Sequence, residues 1–170
     1  MGRRPIGKVR PMSTTEPTDR HLDDVLDGLR FAMVSTSDTS GPGLARPLTL
    51  LEQDGTTLRF LVARSAEWVT PILAGGAPVQ AAFADPSANS CVSVRGEGRA
   101  YQDREVIDRL WNPAAGAYFD GRDDPDIAVL ELEVAEGEWW DGPSGKVGQA
   151  VSIVKASLGV EGDEHGDVTP

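Results

Sequence analysis

A chain of 170 residues is long enough for one domain with its own core. Its formal charge of −11 opposes unspecific attachment to nucleic acid or to an anionic membrane, and no apolar run approaches the roughly 20 residues of a membrane span. The single cysteine, Cys91, excludes an intrachain disulfide and reads as a small buried hydrophobe in a strand.

The N-terminus carries Arg3, Arg4, Lys8 and Arg10 without an apolar stretch behind them, so a secretory leader is not expected. Together with the cysteine usage this fits a cytoplasmic protein. Residues 1–18 read as a flexible tail, since Gly2, Pro5, Gly7 and Pro11 oppose regular structure. Residues 19–168 read as the single domain. A first helix is expected over about Asp19 to Leu29, because Leu22, Val25, Leu26 and Leu29 share one helical face. FAMVST (31–36) reads as a buried strand, and Ser40-Gly41-Pro42-Gly43 as a turn.

The next stretch, LARPLTLLEQDGTTLRFLVARSAEW (44–68), carries the strongest signal. Asp54-Gly55 suits a type I′ hairpin turn, whose central residues both need φ > 0. Counting back from that turn pairs Gln53 with Thr56, Leu51 with Leu58 and Arg46 with Ala63. Arg46 and Arg64 then meet at the end away from the turn. Ser65 follows where the strand runs into a short helix over about 66–74, whose start is limited by Pro71. Two arginines, a hydroxyl and a helix start are what a phosphate needs.

Val79 to Ala84 reads as a strand, Asp85-Pro86-Ser87 as a turn, and Cys91 to Tyr101 as a long returning strand. Gly96 and Gly98 within it point to a bulge or a close backbone approach. Asp103 can cap a helix carrying Val106, Ile107, Leu110 and Trp111, which Asn112-Pro113 ends. DGRDDPD (120–126) reads as a solvated loop rather than a calcium site, because it lacks the glycine and terminal glutamate of such a loop. Ile127 to Trp140 is a long strand, and about Val147 to Leu158 a last amphipathic helix. Six strands with short helices, mostly joined by turns, give a mainly β chain: an antiparallel barrel rather than a parallel α/β sheet.

No nucleophile elbow, acid/base pair or His/Cys metal cluster stands out, so no catalytic side chain and no metal ligand is assigned. Gly142-Pro143-Ser144-Gly145-Lys146 fails as a P-loop, since Trp140 stands where the upstream glycine belongs.

Several segments resemble one family in order and spacing. They are Arg46-Pro47-Leu48, Ala63-Arg64, Ala84-Asp85-Pro86, Val92-Ser93-Val94-Arg95-Gly96, Leu110-Trp111-Asn112-Pro113, Asp123-Asp124-Pro125-Asp126 and Trp140-Asp141. The chain thereby resembles the pyridoxamine 5′-phosphate oxidase-like FMN-binding split barrels, in particular their general stress protein branch. The resemblance implies a six-stranded split β-barrel with flanking helices, acting as a homodimer and as a flavin-linked oxidoreductase on an unknown small molecule. It implies an FMN phosphate on Arg46, Arg64 and Ser65, and an isoalloxazine along Leu61, Val62 and Ala63 beside Pro47 and Leu48. Trp68 would lie at the ligand, and Trp140 of the second subunit would close the pocket.

This chain departs from the family at two positions. Ala66 and Trp68 stand where family members place a Ser and a Lys on the phosphate. Losing both costs about 2–4 kcal/mol, a roughly 30- to 1000-fold loss of affinity. Two other readings therefore stay open: a barrel that has lost FMN and serves as a non-catalytic binding or stress protein, and a relative that uses a deazaflavin.

Overall fold

The computed structural model describes residues 20–36, 44–141 and 164–169. The expected tail (1–18), the Ser40–Gly43 turn and the expected helix over 147–158 lie outside the described residues.

The elements run in chain order as β1 (Arg20–His21), α1 (Leu22–Leu26), β2 (Phe31–Thr36), β3 (Arg46–Thr49), β4 (Glu52–Asp54), β5 (Thr57–Ala63), α2 (Thr70–Gly75), β6 (Ala77–Asp85), β7 (Ser90–Tyr101), α3 (Arg104–Leu110), β8 (Ile127–Asp141) and β9 (Glu164–Thr169). A 3₁₀ turn, Glu67–Val69, leads into α2. The sheet order is β1-β9-β8-β7-β6-β2-β3, with β5 on β8 and β4 on β5. In the run β3-β2-β6-β7-β8-β5-β4 the two ends, β3 and β4, are consecutive segments of one bent strand. The bend is at Leu50-Leu51: Leu50 N–H donates to the Arg30 carbonyl at 2.7 Å, while Leu51 N–H donates to the Arg59 carbonyl at 3.0 Å. Counting β3 and β4 as one, six strands run round the barrel.

The hairpin register differs from the expected one. Asp54 faces Thr57 and Gln53 faces Leu58, so Gly55-Thr56 is the turn. Only Gly55 has positive φ there, +56°. The reason is tertiary. Thr56 is held by β8, its carbonyl accepting from Val134 N–H at 2.9 Å and its hydroxyl donating to Glu133. Arg46 does not pair with Ala63; it faces Val34 on β2. Beyond Arg59 the partner of β5 is β8 alone, with Ala63 facing Ile127.

The first helix is also shorter than expected. Arg20 and His21 are taken by parallel pairing with Val168 and Thr169, and Gly28 at φ +76° breaks the chain behind it. Asp103 caps α3 as expected, accepting from the N–H groups of Glu105 and Val106. The glycine-bearing strand β7 has its register shift between Arg95 and Gly96.

Alternation sorts the strands into faces. Leu58, Phe60, Val62, Val79, Ala81, Phe83, Val92, Val94 and Trp139 fill the barrel. A second, outer cluster forms where α3 covers β8: Ile107 and Leu110 on Ile127 and Val129. Cys91 is exposed, not buried, because its neighbour Val92 takes the inward position. No helix among the described residues is long and apolar enough to cross a membrane.

Candidate functional site

The barrel is split where β3 leaves β5. In a strand, successive peptide groups point to alternate sides. Leu50 N–H turns to β2 and the Arg59 carbonyl turns to β4. By alternation, the Pro47 carbonyl and both Thr49 peptide groups face the gap from one side. The Leu61 peptide groups and Ala63 N–H face it from the other. Proline suits this edge because the position demands no donor.

The gap opens into a cavity of about 290 Å³. Pro47, Leu48 and Thr49 form one wall, and Leu61, Val62 and Ala63 the opposite one. Ala66 and Trp68 close the inner end, and Asn112, Tyr118 and Phe119 form the outer wall. Leu51, Leu61 and Phe119 also pack on the cluster beneath α3, so that cluster is the cavity floor. Phe119 leans on Trp111, ring centres 6.4 Å apart. Asn112 shapes the outer wall by accepting from the N–H groups of Ala114 and Ala115 at 2.9 and 3.2 Å.

The lining is apolar with one charge. In a chain of net charge −11, the described residues of the lining present Arg46 and no carboxylate. The Arg46 guanidinium lies over the Trp68 ring at 4.9 Å from its centre and donates to the Leu44 carbonyl at 2.8 Å. Such a contact orients the cation without neutralising it.

Of the residues singled out in the sequence, Arg46, Pro47, Leu48, Leu61, Val62, Ala63 and Trp68 line this cavity together. Arg64 and Ser65 do not line it; both are exposed on the turn after β5. Asp126 occupies that turn. Its carboxylate accepts from Ser65 N–H at 2.7 Å and from the Ser65 hydroxyl at 2.6 Å, and its carbonyl accepts from Arg64 N–H at 2.7 Å. The loop carrying Asp126 is fixed in turn by Asp124, which accepts from the N–H groups of Asp126 and Asp120. These donors hold the Asp124 carboxyl below the usual carboxylate range.

Trp140 lies elsewhere. It faces Cys91 on β7, nearly the whole length of β8 from Ile127, a strand path of about 40 Å at ~3.3 Å per residue. The outer wall, Asn112 to Phe119, and the role of Asp126 went unassigned in the sequence. The aromatic grouping of Trp111, Tyr118 and Phe119 behind a helix-ending proline was the available signal. Among the described residues no group of His, Cys, Asp and Glu is arranged to hold a metal.

The chain matches the family described as pyridoxamine 5′-phosphate oxidase like over residues 17–164. It is a member of that family. A similar solved structure, general stress protein 26 from Jannaschia sp. CCS1, is 27% identical with a TM-score of 0.67, covering 86% of this chain and 94% of that one. Another, the general stress FMN/FAD binding protein of Xanthomonas citri, is 29% identical with a TM-score of 0.59, covering 68% and 82%. General stress protein 26 of Bacillus subtilis (strain 168) is 36% identical over 42 residues, 25% of this chain and 30% of that protein. The match thus spans less than a third of that curated relative's length. Structural neighbours also place the chain in the split-barrel fold of the pyridoxamine 5′-phosphate oxidase family.

Proposed function

We propose that the cleft between β3 and β5 holds the ring of a flavin, and that this family member works as a flavin-linked redox protein. The carrying observation is the pair of strand edges with peptide N–H and C=O groups turned into an apolar slot. An isoalloxazine is a flat apolar ring system with alternating donors and acceptors along one edge, and such a slot answers both properties. The family, and the flavin named for the Xanthomonas citri relative, support the same reading.

The ring portion of FMN fits the residues present. Leu61 and Ala63 would bind its polar edge through their peptide groups. Leu48 and Phe119 would exclude water, and Thr49 would present a hydroxyl at the rim. When bound, the flavin supplies the electron or hydride transfer, which requires no catalytic acid or base from the lining. The oxidised protein is expected to show the two visible absorption bands of a flavin and to bind it at micromolar concentration. Ala63→Phe, which fills the slot, should weaken binding at least about tenfold, ~1.4 kcal/mol. Unchanged affinity in a folded Ala63→Phe protein would move the ligand elsewhere.

The same reading includes a homodimer. Phe31 is 73% and Met33 46% exposed on the outer face of β2. They pair with Thr49 and Pro47, which line the cavity, so this apolar face runs into the cavity rim. Ala82, facing Met33 on β6, extends it, and Cys91 and Trp140 lie side by side further along the sheet. A second copy covering this face would wall the cavity, and Trp140 would reach a pocket only in that way. The wild type is expected at twice the chain mass in light scattering, and Phe31→Glu with Met33→Glu at the chain mass. A monomeric wild type at high concentration would refute the shared pocket.

A further inference from the structure

We infer that this cleft reads the flavin ring and not its phosphate, so that riboflavin and FMN bind about equally. The inference rests on the flavin reading above and concerns only what the phosphate would meet. The turn after β5 offers a peptide N–H and a hydroxyl at Ser65, and both are already given to Asp126, one to each carboxylate oxygen. An internal anion therefore uses the donors a phosphate would need, and its own charge opposes a second anion beside it.

Inside the cavity the neighbouring positions 66 and 68 carry no replacement cation. Ala66 lacks a polar side chain, and Trp68 presents its ring. Arg46 is the one cation of the lining among the described residues, and its guanidinium rests on the Trp68 ring and the Leu44 carbonyl. Arg64 is exposed on the turn and outside the lining. A phosphate dianion would surrender part of its hydration for one already engaged cation, next to a fixed carboxylate, and so gains little. The ring contacts are the same for both ligands, and the affinities converge.

The test is a titration of riboflavin and of FMN into the wild type and into Trp68→Lys and Asp126→Ala, followed by tryptophan fluorescence, with circular dichroism confirming the fold of each variant. The two wild-type dissociation constants are expected within about threefold of each other, with FMN gaining at least about tenfold over riboflavin in Trp68→Lys. Asp126→Ala, which frees both Ser65 donors, should shift the ratio the same way. Wild-type FMN binding more than about tenfold tighter than riboflavin, and weakened by salt, overturns the inference and leaves the flavin reading standing. An unchanged ratio in a folded Trp68→Lys protein also overturns it. Binding of neither ligand to the wild type overturns the flavin reading itself.

Discussion

Replacing Gly96 by alanine is expected to cost about 3 kcal/mol of folding stability or more, at the upper end for a single added methyl group. A Cβ at this position would lie 1.8 Å from the Glu133 carbonyl oxygen, 2.8 Å from its carbon and 3.0 Å from the Ala135 nitrogen. All three are main-chain atoms, so no rotamer change relieves the clash. The site is the bulge, where the partner of β7 jumps from Glu136 at Arg95 to Val134 at Gly96. Relief would require pulling apart β7 and β8, the pair that carries the barrel from its core to the strand end at Trp140. Gly98→Ala is a useful control. Its closest contact is a Val79 methyl at 2.2 Å, a side chain that can shift, so the cost should be smaller. Urea unfolding followed by circular dichroism would give both values, and a loss under about 1 kcal/mol for Gly96→Ala would contradict this account of the bulge.

Arg59→Met is expected to destabilise the protein by about 2–3 kcal/mol near neutral pH, below the ~3–5 of a fully buried pair because solvent still reaches the site. Arg59 is 16% exposed and lies between two carboxylates, Glu52 at 2.6 Å and Glu131 at 2.9 Å. Tyr101 donates to Glu131 at 2.9 Å and Arg109 to Glu52 at 2.9 Å. This network joins β4, β5, β7, α3 and β8 around the end of the barrel. Removing the central cation leaves two half-buried carboxylates in need of it.

The pH dependence of that loss follows from the same contacts. Hydrogen bonds from Arg109 and then Arg59 hold the Glu52 carboxyl below its ordinary value, against the opposing effect of burial. A carboxyl lowered on folding contributes stability above its unfolded pKa of about 4.3, and that stability is lost as the pH falls through the folded value. Glu133, lowered by the hydroxyls of Thr56 and Thr57, acts in the same direction. The wild type should therefore lose stability below about pH 4.5, whereas Arg59→Met, with Arg109 alone left on Glu52, has less of this stability to lose. The gap between the two proteins should be widest at neutral pH, about 4–12 °C in Tm, and should narrow in acid. A gap that widens in acid would show that packing of the Arg59 stem dominates over its charge.

Much of the fold was legible in the sequence because local patterns carried it. Alternating apolar residues marked the strands from Val79, Cys91 and Ile127, Asp103 announced its helix, and Gly96 announced the bulge. These signals depend on the period of the backbone and on the steric demands of single residues, which neighbours along the chain already express. The strand positions of the cleft, Pro47, Leu48 and Leu61 to Ala63, came instead from the family resemblance, and they line one cavity.

Other features needed the assembled barrel. The turn moved to Gly55-Thr56 because β8, more than seventy residues further on, holds Thr56 through Glu133 and Val134. The strand from Arg46 bent at Leu50-Leu51 because its two halves pair with different neighbours. Cys91 turned outward because Val92 claimed the core. Ser65 met Asp126 rather than the cavity because the start of β8 lies beside the end of β5. The sequence by itself determined the strands and the Asp103 cap. The tertiary structure alone decided register, outward or inward facing, and which donors remain for a ligand, since each depends on partners distant in the chain.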